Sequence, residues 1–262
     1  MSEAALRVER RGGVFEVTLD RAKANAIDAA TSRRMGELFV EFRDDPDLRV
    51  AILTAAGERF FCAGWDLKAA AEGGESYQSD FGAGGFGGFP ELPGLDKPVI
   101  VAVNGLAVGG GFEIVLGADL VVAAEHAQFA LTEVRVGVLP DAGIVELPRR
   151  LPRVIAHELL LTGRRMSAAE AAGYGLVNAV VPAAALLDKA RELAAEITAG
   201  APLAVAAIKD LLRRTEALPV ADAFALMRSG EMASYQRVLE SEDAREGPRA
   251  FAEKRSPAWK GR

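Results

Sequence analysis

The chain has few of the residues on which secreted, metal-binding or membrane-spanning proteins depend. Its 262 residues include one cysteine, Cys62, so no disulfide can form within the chain, and a reducing cytoplasm is the expected location. The two histidines, His126 and His157, lack metal-ligand spacing, and we expect no metal site. The N-terminal residues MSEAALRVERR carry charge but no apolar core, which predicts no secretory signal. No apolar run reaches the roughly 18 residues that a membrane-spanning helix needs.

An excess of positive charge is also absent. The 31 basic and 37 acidic residues give a net charge of −6, which disfavours nucleic-acid binding as the main activity. Half of the residues are hydrophobic, enough for a sizeable core. The length fits one large domain, or a main domain with an appendage.

Apolar patterning predicts alternating strands and helices, followed by helices alone. Val14–Leu19 alternates like a strand, and residues 50–53 form a second apolar strand after a helix that Asp28 caps. This strand–helix–strand order favours parallel pairing. Beyond about residue 200 the sequence predicts helices only, over Pro202–Thr215, 220–239 and 243–251.

The most informative stretch, PVIVAVNGLAVGGGFEIVLGAD, spans residues 98–119. It predicts a buried strand, a turn, three glycines at 109–111 and a helix that starts near Phe112. Glycines at a helix start let a ligand approach backbone N–H groups, which favour negative charge. The stretch lacks the residues of a phosphate loop or a dinucleotide-binding turn. Glu113, directly after the glycines, is an unusual choice for packing alone.

Three acidic residues stand in apolar or glycine-rich surroundings: Glu113, Glu133 and Asp141. Taken singly, each could be a structural acid with satisfied hydrogen bonds. Taken together beside a turn that favours negative charge, they suggest general acid–base chemistry by carboxyl groups of unequal pKa. Asp141 is expected in a tight turn with Gly143.

Four motifs occur in an order that resembles the crotonase superfamily, the enoyl-CoA hydratase/isomerase family. They are FCAGWDL at 61–67, VNGLAVGGGFE at 103–113, FALTE at 129–133 and SEDAREGPRAFAEKRSPAWKGR at the C-terminus. The resemblance covers essentially the whole chain. It implies an α/β fold, a crotonase-like spiral of ββα turns over residues 1–200, with a C-terminal helical oligomerisation region over 201–262. Homotrimers, often paired as hexamers, are implied as well.

The resemblance also implies roles for individual residues. The backbone N–H groups of Trp65 and Gly110 would bind the thioester oxygen of an acyl-CoA substrate. Glu113 and Glu133 would be the catalytic acids, and having both favours addition or loss of water over isomerisation. No separate cofactor is expected, because coenzyme A is part of the substrate. The implied CoA-binding residues are Lys23, Ala24, Ala26, Ala63, Gly64, Asp66, Leu67 and Lys68. The two lysines are either phosphate partners or solvated surface residues.

Within the family, segments such as DRAKANAIDAATS and CAGWDLKAAAEG resemble a branch whose acyl group carries a trimethylammonium. An aromatic face or a carboxylate can stabilise that cation, which makes Trp65, Phe86, Phe89 and Asp141 candidate substrate contacts. The two phenylalanines could equally be plain packing beside the glycine-rich segment 73–88, which is expected to form a lid, a pocket wall or a solvated insertion.

The sequence departs from the family pattern after Glu133. A glycine-rich turn is common there, but this chain reads PDAGI, with Ile144 in place of a glycine. Asp141 stands eight positions after Glu133, where other branches of the family place a catalytic aspartate. It is therefore either a polar substrate contact or a third catalytic acid. Three alternatives stay open for the chain: a general short-chain enoyl-CoA hydratase, a double-bond isomerase, and a member used only for binding.

Overall fold

Two β-sheets organise the computed structural model, which describes residues 5–72, 75–76 and 79–262. Part of the segment predicted as a lid over 73–88 therefore lies outside the described residues. The larger sheet has six strands in the order β1-β2-β3-β5-β7-β10. Its strands are Leu6–Arg11, Val14–Leu19, Val50–Ala55, Val99–Val103, Leu120–Ala124 and Ala179–Val181. β1 pairs antiparallel with β2, and every later pair is parallel, as the strand–helix–strand pattern predicted.

The smaller sheet has four strands in the order β4-β6-β8-β9. These are Phe60–Cys62, Leu106–Val108, Gln128–Ala130 and Met166–Ser167, with only the last pair antiparallel. The helices are, in order, α1 Ala29–Asp44, α2 Leu67–Ala71, α3 Gly110–Leu116, α4 Asp141–Arg150, α5 Arg153–Thr162, α6 Ala168–Gly173, α7 Leu186–Thr198, α8 Pro202–Thr215, α9 Val220–Arg228, α10 Ala233–Glu240 and α11 Glu242–Ala252. None of the helices in the described part of the chain is long and apolar enough to span a bilayer.

The core lies against the central strands of the larger sheet. Every residue of β3 and β5 is buried, because parallel strands with helices on their faces are covered on both sides. Asp28 caps α1 as predicted, accepting a hydrogen bond from the Thr31 N–H at 2.7 Å. Phe42 of α1 stacks on Phe15 of β2 with ring centroids 5.7 Å apart. The hydrophobic period of α1 therefore fixes its position on the sheet.

The chain divides into two compact units. The first comprises the chain up to Leu95 together with Val99–Ala194, and the second comprises Asp96–Pro98 and Ala195–Arg262. The second unit is helical, and its buried Asp210 accepts hydrogen bonds from Arg213, Arg214 and Ser234. All the residues proposed from the sequence to act in catalysis belong to the first unit. The predicted boundary at residue 200 stays a prediction.

Two sequence predictions about helices were wrong. The single helix predicted over 220–239 is two helices, α9 and α10, because Ser229 and Gly230 follow α9 and Gly230 has a φ of +83°. The segment after Pro140 is a helix, α4, although its Asp-Ala-Gly sequence suggested a tight turn. Ile144 at the glycine position of the family pattern continues that helix, donating its N–H to the Pro140 carbonyl oxygen at 2.8 Å.

Candidate active site

The glycine triplet at the start of α3 is shaped by what packs against it. A Cβ at Gly109 would lie 2.6 Å from Glu133 Oε1, and one at Gly110 would lie 2.8 Å from Cδ1 of the Phe86 ring. Both distances are shorter than real Cβ contacts, and Gly109 also has a φ of +56°. Because these positions lack side chains, Glu133 and Phe86 can lie directly on the backbone. The helix begins at Gly110, two residues before the predicted start.

A second segment, between β4 and α2, lies against the same helix start. A Cβ at Gly64 would lie 2.7 Å from the Val108 carbonyl oxygen and 3.0 Å from the Gly110 nitrogen. Gly64 has a φ of +84°, and its carbonyl oxygen accepts a hydrogen bond from the Ile27 N–H at 2.8 Å. Trp65 follows directly. The chain thus brings the Gly64–Trp65 backbone beside the first turn of α3, where the N–H groups of Gly110 and Gly111 have no acceptor inside the helix.

These two segments line one cavity of about 360 Å³. Backbone and apolar groups form much of its wall, and several carboxylates and aromatic rings complete it. The lining residues from the predicted site are Ala63, Gly64, Trp65, Leu67, Phe86, Gly110, Glu113, Glu133 and Asp141. Residues that the sequence did not single out also line it, among them Ser79, Asp80, Phe81, Glu91 and Thr132.

Glu113 is the more strongly perturbed of the two predicted catalytic acids. Burial raises the pKa of its carboxyl group to about 7, with further raising by the nearby charges of Glu133 and Asp141. The Gly143 N–H donates a hydrogen bond to Glu113 Oε1 at 2.8 Å and opposes that shift. Gly143 lies in the first turn of α4, so the helix that sequence analysis missed is what holds this carboxylate.

Glu133 is the first residue of a short 3₁₀ turn, Glu133–Arg135, after β8. Its Oε2 atom is buried and has no hydrogen-bond partner among the described residues. Burial raises the pKa of its carboxyl group above the usual value. A buried carboxylate oxygen without a hydrogen-bond donor is uncommon in proteins, which marks Glu133 as a candidate functional residue.

Asp141 lines the same cavity as the two glutamates and lies near Glu113. It is the first residue of α4, not part of a tight turn. Its negative charge contributes to the raised pKa of Glu113. This placement keeps both sequence interpretations of Asp141 open, a polar substrate contact and a third acid.

The two predicted phenylalanine contacts separate. Phe86 lines the cavity and packs edge-to-face with Phe81, with ring centroids 5.4 Å apart. Phe89 does not reach the cavity: it is 3% exposed and packs on Phe39 with centroids 4.7 Å apart. The prediction that Phe89 contacts substrate is therefore corrected, since its ring belongs to the hydrophobic core.

The predicted CoA-binding loop is tied to the Gly64–Trp65 segment. The Ala63 N–H donates to the Ala24 carbonyl oxygen at 3.1 Å. Arg21 holds both sides of this junction, pairing with Asp66 at 3.1 Å and with Asp28. Lys23, Ala24, Ala26, Asp66 and Lys68 are not among the described residues that line the cavity, and the two lysine side chains are exposed.

Cys62 adds no chemistry to this cavity. Its thiol is fully buried, and burial raises its pKa to about 12. Within residues 5–72, 75–76 and 79–262, no group of three or more His, Cys, Asp or Glu residues is arranged to hold a metal ion.

Comparison with known proteins gives consistent matches. A family profile described as Enoyl-CoA hydratase/isomerase matches residues 9–262. A carnitinyl-CoA dehydratase from Proteus mirabilis (strain HI4320) is 60% identical over 259 residues, covering 98% of this chain and 99% of that protein. A solved enoyl-CoA hydratase from Mycobacterium tuberculosis H37Rv is 41% identical, with a TM-score of 0.89 over 98% of this chain and 99% of that one. A solved carnitinyl-CoA hydratase from Mycobacterium avium is 41% identical, with a TM-score of 0.74 and the same coverage. The predicted crotonase-like α/β fold with C-terminal helices is confirmed.

Proposed function

The chain belongs to the enoyl-CoA hydratase/isomerase family, and on that premise we propose that it catalyses the reversible hydration of crotonobetainyl-CoA to carnitinyl-CoA. The observation that carries the proposal is the convergence of Glu113 and Glu133 on one cavity that Trp65 and Gly110 also line. The identity of 60% to a carnitinyl-CoA dehydratase over nearly the full chain supports this choice of acyl group.

In this proposal Trp65 and Gly110 stabilise the charge that develops on the thioester oxygen. The proton on the carbon next to a thioester is weakly acidic, so catalysis needs fixed donors for the enolate oxygen. One such N–H donor contributes roughly 3–4 kcal/mol to transition-state stabilisation. The start of α3 is suited to this, since a first-turn N–H also lies at the positive end of the helix dipole.

Glu113 and Glu133 divide the proton transfers. In hydration, the Glu113 carboxylate takes a proton from water as the water oxygen bonds to the β-carbon, and Glu133 gives its proton to the α-carbon. In dehydration, Glu133 removes the α-proton, and protonated Glu113 gives its proton to the departing hydroxyl group. Each direction starts with one proton on the pair, on opposite members. Two carboxyl groups in one partly buried cavity favour this shared proton.

The remaining assignments from the resemblance complete the proposal. The loop at Lys23, Ala24 and Ala26 and the segment Ala63–Lys68 bind the adenine and pantetheine of coenzyme A. The Ala63 to Ala24 hydrogen bond supports this by holding the loop beside the cavity. The substrate supplies the coenzyme, so the reaction requires no separate cofactor.

We also propose that the chain self-associates as trimers or paired trimers, with residues 201–262 as the oligomerisation region. Large apolar side chains support this because they are exposed in the second unit, as with Val220, Phe224 and Phe251. The test is the molar mass of the protein, measured by light scattering during size-exclusion chromatography. A mass of one chain at micromolar concentration would contradict it.

The main alternative is a general short-chain enoyl-CoA hydratase, favoured by the TM-score of 0.89 to such an enzyme. Loss of enone absorbance separates the two, measured with crotonobetainyl-CoA and with crotonyl-CoA. A higher kcat/KM for crotonobetainyl-CoA supports the proposal, and a higher value for crotonyl-CoA supports the alternative. Double-bond migration without water addition would indicate an isomerase. No change in any enoyl-CoA would indicate a binding protein.

A further inference from the structure

The cavity carries more negative charge than the proposed reaction uses. Five carboxylates line it: Asp80, Glu91, Glu113, Glu133 and Asp141. Among the described residues of its wall there is no lysine, arginine or histidine. The proton transfers need two of the five acids. The other three, Asp80, Glu91 and Asp141, are exposed residues, and their charge favours a positively charged bound group over a neutral one.

Three aromatic side chains form the wall of the same cavity. Trp65, Phe81 and Phe86 all line it, and Phe81 and Phe86 meet edge-to-face with an interplanar angle of 70°. A quaternary ammonium cannot donate a hydrogen bond, so proteins bind it against aromatic faces, with Trp the best of them. The position of these rings therefore matches the chemistry of such a cation independently of the acids.

The indole of Trp65 is held in place by Glu75. Trp65 Nε1 donates to Glu75 Oε2 at 3.2 Å, and the other oxygen, Oε1, accepts from the Ala29 N–H at 2.9 Å at the start of α1. The indole N–H therefore has its hydrogen-bond acceptor within the protein. The ring is anchored to a helix of the core.

The two phenylalanines are fixed by the fully buried Ser32 of α1. Its Oγ lies 2.9 Å from the Phe81 carbonyl oxygen and accepts from the Gly87 N–H at 3.1 Å. Glu91 is placed beside them, since a Cβ at Gly85 would lie 2.7 Å from the Glu91 carboxyl carbon. The Glu91 carboxylate therefore lies next to Gly85, the residue that precedes Phe86.

We infer that Trp65, Phe81 and Phe86 form the binding site for the quaternary ammonium of the acyl chain, with Glu91 as its nearby negative charge. The identity of the substrate rests on the proposed function. Phe81 and Glu91 carry no motif in the sequence that marks them as substrate contacts, and Phe89 is not part of the site because its ring packs in the core. Substrate selection then depends on Trp65 and on the 79–91 segment, whereas the proton transfers depend on the two glutamates.

The test uses two saturated thioesters that cannot be hydrated. One is 4-(trimethylammonio)butanoyl-CoA, and the other is 5,5-dimethylhexanoyl-CoA, in which carbon replaces nitrogen without changing the shape. Calorimetry on the wild-type chain is expected to show at least about tenfold tighter binding of the cationic thioester. Equal Kd values would overturn the cation site, whatever the catalytic activity.

Variants then assign the preference to residues. The preference is the Kd of the neutral thioester divided by the Kd of the cationic thioester. We expect this ratio to fall by about three- to tenfold in each of F81L, F86L and E91Q, mainly because the cationic thioester binds less tightly. E58Q is the matched control for charge, because Glu58 is exposed and does not line the cavity. F86L can also disturb Gly110, whereas E91Q removes a charge from an exposed side chain, so E91Q keeps the test valid if F86L unfolds. A ratio unchanged in F81L and E91Q would overturn the assignment to these residues.

Failure of the proposed function gives a different result. Cation-selective binding without turnover of crotonobetainyl-CoA supports the cation site and contradicts the hydratase. Turnover of crotonobetainyl-CoA with equal binding of the two saturated thioesters supports the hydratase and overturns the cation site.

Discussion

The two sides of the cavity are built in different ways. The reacting side is made by elements of regular structure: Glu113 in α3, Glu133 after β8, and Gly143 in the first turn of α4. The second side is made by the irregular segment that carries Phe81, Phe86 and Glu91, and its Phe86 ring packs on Gly110 at the start of α3. The hydroxyl of Ser32 holds that segment through hydrogen bonds to its backbone.

Under the proposed function, this difference separates the proton transfers from the selection of the substrate. A proton transfer requires groups within hydrogen-bond reach of defined atoms, which helices and strands position well. Selection of a bulky cation requires aromatic faces and negative charge. These groups need less exact positions, so a loop can carry them. We therefore expect changes on the reacting side to abolish turnover of every substrate, and changes on the second side to alter the preference between substrates.

The largest effect is expected from the glutamates themselves. E113Q and E133Q keep the shape of the side chain and remove its proton chemistry, so each should lower kcat by at least about 10³-fold. Crotonyl-CoA and crotonobetainyl-CoA should be affected equally. Unchanged far-UV circular dichroism and an active E58Q protein are the controls. Full activity in either variant would contradict the role given to that residue.

The second-largest effect on kcat is expected from Gly110→Ala. The new Cβ would lie 2.8 Å from Cδ1 of the Phe86 ring, so the ring or the helix start must move. Displacing one N–H donor from the thioester oxygen costs roughly 10²–10³-fold in kcat. The matched control is Gly173→Ala, where nothing lies within 4 Å of the new Cβ. If the clash is the cause, Phe86→Ala should restore part of the activity to Gly110→Ala. Activity close to wild type in Gly110→Ala alone would contradict this account.

Much of the reacting side was predictable from the sequence because its residues are adjacent to recognisable motifs. The glycine triplet and Glu113 are neighbours in the chain, so one motif carries both the turn and the acid. The larger sheet was predictable for a similar reason, since β3 and β5 are apolar throughout. β1 was missed because most of its residues are exposed and charged, which removes the strand period.

The rest of the site depends on contacts between distant residues. Ser32 looks like an ordinary helix residue in the sequence, but its hydroxyl hydrogen-bonds to a segment about 50 positions away. Phe89 looked equivalent to Phe86, and only the packing on Phe39 separates them. α4 was missed because an Asp-Ala-Gly sequence after proline is typical of a turn as well as of a first helical turn.

The pH dependence sharpens the account of the reacting side. In the proposed mechanism the active enzyme carries one proton on the Glu113–Glu133 pair, so kcat/KM should fall on both sides of a maximum. Burial raises the pKa of Glu113 to about 7, so the proton is kept up to near-neutral pH and lost above it. Activity should then fall about tenfold per pH unit well above the upper pKa.

The two directions provide the internal check. Hydration consumes no net proton, so kcat/KM for hydration and dehydration must follow the same profile. The measurement is the initial rate in each direction from pH 5 to 9. A hydration rate that keeps rising to pH 9 would contradict the shared proton.

The smallest effect is expected from Ser32→Ala, which acts on the second side through the positions of Phe81 and Phe86. Loss of the hydroxyl leaves the Gly87 N–H without its acceptor in the protein interior, at a cost of about 1–3 kcal/mol in the free energy of unfolding. The segment should loosen, raising KM for crotonobetainyl-CoA by about three- to tenfold with little change in kcat. KM for crotonyl-CoA should change less, because that substrate has no cation to place against the rings. Ser256→Ala is the control, since it also removes a serine hydroxyl, but Ser256 is exposed and does not line the cavity. An equal loss of kcat for both substrates would mean that Ser32 supports the reacting side as well, and the separation between the two sides would fail.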